Sequence, residues 1–102
     1  VLDHGRATYR PPAALADLVR ARDVTCRHPR CRRAATACEL DHVTAWQDGG
    51  GTSEDNLAAL CTAHHDLKAQ PGWRVVLRPD RSVEWTTPTG HPYGTEPHDH
   101  RG

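Results

Sequence analysis

The sequence predicts an α+β fold, with short helices and short strands in separate segments around a thin core. Three observations lead there. The chain has 102 residues, which sets one domain as the default. Only 36% of them are hydrophobic, with neither Phe nor Met, so the core is too small to stand without a staple. Staple material is present: among four cysteines and eight histidines, Cys26 and Cys31 enclose Arg-His-Pro-Arg, and Cys61 stands three residues before His64. Soft thiolates at short spacing, with a distant second pair ending in His, read as tetrahedral zinc ligands rather than as a two-disulfide framework. Finally, apolar periodicity is helical near the N-terminus and alternating near the C-terminus.

Taken in order, residues 1–10 carry no pattern and read as a tail. Pro11-Pro12 then opens a helix in which Ala14, Leu15, Leu18 and Val19 form one apolar stripe. The knuckle Cys26–Cys31 follows, turned by Pro29. Cys38 to Val43 is short, ends in a polar loop and reads as a strand. Gly49-Gly50-Gly51 lies in that loop and is either a tight fold-back or a plain connector. Leu57-Ala-Ala-Leu60 is ambiguous, since its propensity suits a helix. Thr62 through Gln70 is a better helix, closed by Pro71-Gly72. Residues 73–77 and 82–86 alternate around Arg78-Pro-Asp-Arg81 as a hairpin, with Trp73, Val75, Leu77, Val83 and Trp85 as core. The organisation expected is a tail and helix over 1–22, a central unit over 23–70, the hairpin over 71–90 and a flexible tail over 91–102.

No run approaches the roughly 18 apolar residues of a membrane span, and no charged-then-apolar leader argues for secretion. A cytoplasmic setting follows as the expectation, where disulfides rarely persist. Val1 in place of Met suggests a piece of something longer. Acidic and basic residues balance at 13 each, against a polycationic nucleic-acid coat, but the distribution is uneven. Arg20, Arg22, Arg27, Arg30, Arg32 and Arg33 are offset by Asp23 alone, while Asp41, Asp48, Glu54, Asp55 and Asp66 come later. The arginines are either a solvated loop or a phosphate-binding face.

Asp41-His42, Asn56 and Cys61-Thr-Ala-His64-His65 recur in an order that a strand, a wide loop, a return segment and a helix could bring together. An imidazole and a carboxylate can hold a divalent metal while a second imidazole stays free as general base. Leu40-Asp41-His42-Val43, Gly50-Gly51-Thr52, Asp55-Asn56-Leu57, Leu60-Cys61 and His64-His65 with Lys68 resemble the signature of HNH endonucleases, the ββα-metal (His-Me finger) nucleases. Cys26-Arg-His-Pro-Arg-Cys31, Gly72-Trp73-Arg74 and the stretch from Trp85 to His91 resemble the C-terminal HNH domain of repeat proteins of high-GC Gram-positive bacteria.

That resemblance implies a zinc-stapled ββα-metal fold and metal-dependent hydrolysis of DNA, double-stranded by expectation, leaving a 5′-phosphate and a 3′-hydroxyl. By position, His42 would be the general base, Asn56 would hold the loop and His42 in place, and Asp41 with His65 would ligate the catalytic ion, most often Mg²⁺. Cys26, Cys31, Cys61 and His64 would hold the structural zinc. Cys38 either replaces one of them or is simply buried. Arg27, Arg30, Arg32, Arg33 and Lys68 are the candidate DNA contacts, and His28 reads as exposed or near phosphate. The alternative function is a non-catalytic, zinc-binding module for nucleic acid.

Overall fold

In the computed structural model, which describes residues 11–95, Pro12 opens helix α1 (Ala13–Asp23) with its ring-fixed φ of −56°. The helix stops at Val24, whose φ of +66° is a left-handed conformation costly for a β-branched residue. Two backbone bonds of 2.9 Å hold it there, from Val24 N–H to the Arg20 carbonyl and from Ala35 N–H to the Val24 carbonyl. The reversal sets Thr25 opposite Ala34 and closes the knuckle that carries Cys26 and Cys31.

The apolar stripe expected on α1 is only partly used. Val19 is fully buried, but Leu18 is 54% exposed. Polar anchors do the remaining docking. Arg20 donates to the carbonyls of Ala35 at 3.2 Å and Cys38 at 3.1 Å. Asp23 is fully buried, accepting from Arg22 and Arg27 at 2.7 Å each and from Ala59 N–H at 2.9 Å. A carboxylate so deep needs compensating charge, and Arg27 supplies it. Arg27 is therefore 1% exposed, with its other arm on the Arg81 carbonyl at 2.9 Å. This corrects its expected place among the DNA contacts, because no phosphate reaches it.

β1 (Glu39–His42) pairs antiparallel with β2 (Leu57–Leu60), setting Asp41 opposite Ala58 and His42 opposite Leu57. The ambiguous Leu-Ala-Ala-Leu segment is thus a strand. All four of its residues are fully buried, with α1 and α2 (Thr62–Lys68) packed against it. A strand covered on both faces has no need of polar alternation, and pairing plus burial outweighs its helical propensity. Cys61 caps α2 in extended conformation, so one residue separates the end of β2 from the helix.

Past Gly72, β3 (Arg74–Leu77) and β4 (Val83–Thr86) form the expected hairpin, with Val75 opposite Trp85 and Leu77 opposite Val83. Trp85 is fully buried. It meets the Trp73 ring edge-on at 6.2 Å and donates its indole N–H to the Arg27 carbonyl at 3.1 Å, so it is core rather than a stacking platform. The ordered sheet does not end at Gly90. A turn closed by Thr87 N–H on the His91 carbonyl lets β5 (Pro92–Thr95) pair with β4, making three strands where two were expected. The tails assigned to residues 1–10 and 96–102 lie outside the described residues. The core joins Cys26, Ala35, Cys38, Ala59, Leu60, Cys61, Val83 and Trp85, so candidate zinc ligands and packing residues are one cluster.

Candidate metal centre and active site

Cys26 and Cys31 come from the knuckle, Cys61 from the start of α2 and His64 from its first turn. Their ligand atoms all lie within 4.8 Å of one another. Cys31 Sγ is 3.8 Å from Cys61 Sγ, and His64 Nδ1 is 3.5 Å from Cys26 Sγ and 3.2 Å from Cys61 Sγ. Tetrahedral zinc, with bonds of about 2.3 Å to sulfur and about 2.0 Å to nitrogen, sets S···S edges near ~3.8 Å and S···N edges near ~3.5 Å. The four donors therefore fit zinc in number, type and spacing. Cys38 stays out of the set: it is buried and faces the Ala34 carbonyl at 3.3 Å.

Burial pushes the Cys26 thiol up to about 12. Burial also raises Cys61, but the backbone N–H of His64, the neighbouring thiols and the N–H of Ala63 lower it net. Zinc must displace protons from such thiols, so loading favours higher pH. His28 is half-buried rather than exposed. Its ring lies face to face on His64, centroids 3.9 Å apart and planes 6° apart, with its edge toward Trp85. Its Nδ1 accepts the Arg30 N–H at 3.3 Å. Burial, then His64 and Arg30, push its pKa down to about 4, so it packs as a neutral ring. Nothing in the spacing of the sequence signalled this.

The second centre lies at the ends of β1 and α2. Asp41 is 7% exposed. Its Oδ1 is 3.3 Å from His65 Nε2 and its Oδ2 is 3.2 Å from Lys68 Nζ. Burial raises the Asp41 pKa, opposed by Lys68, His65 and His42 in that order. Oδ2 has no aligned hydrogen bond, so a carboxylate oxygen is left with charge beside it but no directed donor. That is a fitting environment for a divalent cation, which Mg²⁺-type sites bind through one or two carboxylates plus waters and substrate phosphates.

His42 precedes the wide loop, and its Nε2 lies 2.8 Å from Thr52 Oγ1. Asn56 ties that loop at its neck. Its Oδ1 accepts Thr44 N–H at 2.8 Å, while its amide donates to the carbonyls of Thr44 at 3.0 Å and Gly51 at 2.9 Å. Asn56 therefore fixes Gly51, and with it the adjacent Thr52 that meets His42. The triglycine is no plain connector: a Cβ on Gly50 would stand 1.8 Å from the Thr44 carbonyl oxygen and 2.7 Å from Asn56 Nδ2. Thr52 is the contact that residue-type reasoning missed, although Gly50-Gly51-Thr52 was already visible as a motif.

Of the remaining basic candidates, Arg30, Arg32 and Arg33 are exposed and Lys68 is half-buried. Arg22 is structural, donating to Asp23, to Glu54 at 2.8 Å and to the Leu57 carbonyl at 2.6 Å. Among the described residues no helix is long and apolar enough to cross a membrane.

Comparison with known proteins places these two centres in context. The HNH endonuclease family model matches residues 26–70, a span containing both. The chain is 49% identical over 90 residues to the uncharacterized protein Rv2100 of Mycobacterium tuberculosis (strain ATCC 25618 / H37Rv), covering 87% of this chain and 16% of that protein. It is 47% identical over 90 residues to the uncharacterized protein Rv3776 of the same strain, covering 87% of this chain and 17% of that protein. The chain thus spans about a sixth of the length of the curated relatives it matches. No solved structure matches it.

Proposed function

We propose, from the match of residues 26–70 to the HNH endonuclease family, that this chain hydrolyses DNA phosphodiester bonds with a divalent metal ion. The observation that carries the reading is the convergence of Asp41 Oδ1 and His65 Nε2 at 3.3 Å, with the Asp41 carboxylate buried and the adjacent His42 held by Thr52. Asp41 and His65 would hold the ion, Mg²⁺ by expectation, which when bound supplies charge stabilisation at the scissile phosphate and the leaving oxygen.

His42 is the general base. The contact of its Nε2 with Thr52 Oγ1 at 2.8 Å fixes how the ring is turned, and a neutral imidazole so held can take a proton from the attacking water. Asn56 is a positioning residue, acting on His42 through Gly51 and Thr52. Arg30, Arg32 and Arg33 offer exposed charge to backbone phosphates, contacts that orient the duplex without reading its sequence. A cytoplasmic setting accords with thiols held for zinc rather than oxidised.

The test is nicking of supercoiled plasmid by the zinc-loaded chain with Mg²⁺, then Mn²⁺, against a buffer stripped of both. Metal-dependent nicking that disappears in His42→Ala supports the reading. DNA binding with no cutting under any metal would replace it with the zinc-stapled binding module.

A further inference from the structure

Lys68 is the chain's one lysine; every other basic residue counted in its charge is arginine. Four of the arginines sit on carboxylates: Arg22 and Arg27 on Asp23, Arg81 on Glu54, Arg78 on Glu84. Arginine suits that work, because its planar fork grips a carboxylate through two directed bonds. The lysine stands on Asp41, the carboxylate of the open centre. There its ammonium lies 3.2 Å from Oδ2 and 3.5 Å from the His42 carbonyl oxygen. The contact with Asp41 is not a well-directed clasp, since Oδ2 retains no aligned hydrogen bond, and the bond to the His42 carbonyl is a long one. The Lys68 side chain is 22% exposed, so it has a way out to solvent. His65 and Lys68, three residues apart on α2, share one helix face and meet Asp41 on its two oxygens.

We propose that Lys68 is a displaceable counter-cation: it neutralises buried Asp41, the carboxylate that a divalent ion needs, from the oxygen turned away from His65, and metal entry releases it toward a substrate phosphate. This rests on the reading of Asp41 and His65 as metal ligands. A buried carboxylate left alone is costly, so the site needs a resident positive charge while no metal is bound. An ammonium and a divalent cation cannot share one carboxylate without strong repulsion. When the ion enters, the ammonium must leave, and its four-carbon stem carries it to the rim where a phosphodiester would lie. Metal loading and phosphate capture are then one linked event. An arginine in this place would hold the carboxylate too firmly for that exchange.

The experiment is calorimetric titration of Mn²⁺ into the zinc-loaded chain at pH 8 without DNA, comparing wild type, Lys68→Met and Lys68→Arg. Lys68→Met should bind Mn²⁺ at least tenfold more tightly than wild type, and Lys68→Arg more weakly. Equal or weaker binding by Lys68→Met overturns the proposal, as does an absence of binding in both it and wild type. Lys68→Met removes one partner of a buried pair and can fail to fold, so a second measurement uses wild type alone. Acylation of Lys68 by an amine-reactive ester, read by mass spectrometry, should speed several-fold when Mg²⁺ is added at fixed pH. An unchanged rate overturns the proposal independently. Asp41→Asn separates the two levels of argument. If Mn²⁺ binding survives it undiminished, the metal-site reading fails; if Asp41→Asn abolishes binding while Lys68→Met leaves it unchanged, only the role of Lys68 fails.

Discussion

His64 and His65 are neighbours on one seven-residue helix, yet they end in opposite kinds of site. Adjacent helix residues point about 100° apart, so one turns inward to Cys26, Cys31 and Cys61 while the other turns along β1 to Asp41. The inward set is closed: four donors from two segments, three of them buried cysteine or half-buried histidine packed into the core and backed by the His28 ring. The other is open, with two donors, a His65 side chain 40% exposed and a lysine in place of further ligands. A closed four-donor set has no room for substrate and can only hold the fold; an open pair leaves positions for water and phosphate. One short helix thereby anchors itself on the first site and presents the second.

The sharpest break of that contrast is removal of the closed set. Cys26→Ser, or zinc chelation, should unfold the chain, because structural zinc contributes roughly 10–16 kcal/mol in small finger domains. Circular dichroism and bound-zinc content read the effect. Cys38→Ser is the internal control: it should retain one zinc per chain, since Cys38 packs beside the cluster with its thiol on the Ala34 carbonyl and is not one of the four converging donors. Unchanged melting and metal content in Cys26→Ser would dissolve the distinction between the two centres.

His42→Ala should do the converse. Loss of a general base costs about 10²–10⁴ in rate, while zinc content, melting temperature and DNA affinity stay near wild type, because the base is needed only in the transition state. A mutant that cuts at the wild-type rate would remove His42 from that role. Gly50→Ala should lie between the two. Its Cβ meets a backbone oxygen at 1.8 Å, so the loop must move, costing about 1–3 kcal/mol, and Thr52 moves with it. The expected signature is a modest drop in melting temperature with a larger drop in nicking, the zinc cluster remaining loaded.

Much of this was legible in the residues, and what was not has physical reasons. The short thiol and imidazole spacings announced the cluster that the fold assembles, because ligand spacing is a local property. The hairpin was legible for the same reason, from alternation around Pro79-Asp80. Leu57–Leu60 was ambiguous because burial on both faces erases the period that distinguishes strand from helix. Arg27 was misread because its burial depends on Asp23, which reaches Ala59 across the fold, a contact no local pattern encodes. The β5 pairing hid behind Pro and Gly residues that elsewhere signal loops. Thr52 and His28 act through tertiary contacts alone, with His42 and His64 respectively.

The smallest effect sits at the brace behind the open site. Glu54, two residues before Asn56, binds Arg22 of α1 and Arg81 of the hairpin turn. Arg81, then Arg22, hold its carboxyl well below the usual range, at about 2. Ion pairs near the surface contribute about 0.2–1 kcal/mol each, and these two are partly shielded, so Glu54→Gln should lower stability by about 1 kcal/mol. A depressed carboxylate stabilises the folded state fully above its unfolded pKa near ~4.3 and loses that contribution only as pH falls through the folded value. The melting deficit of Glu54→Gln should therefore stay constant between pH 8 and about 5, where the carboxylate does not titrate. Over the same range the zinc-bearing cluster becomes steadily easier to strip, since its thiols regain protons. A deficit that grew or shrank across that window would mean that Glu54 communicates with the closed centre, and the two sites would no longer be separable.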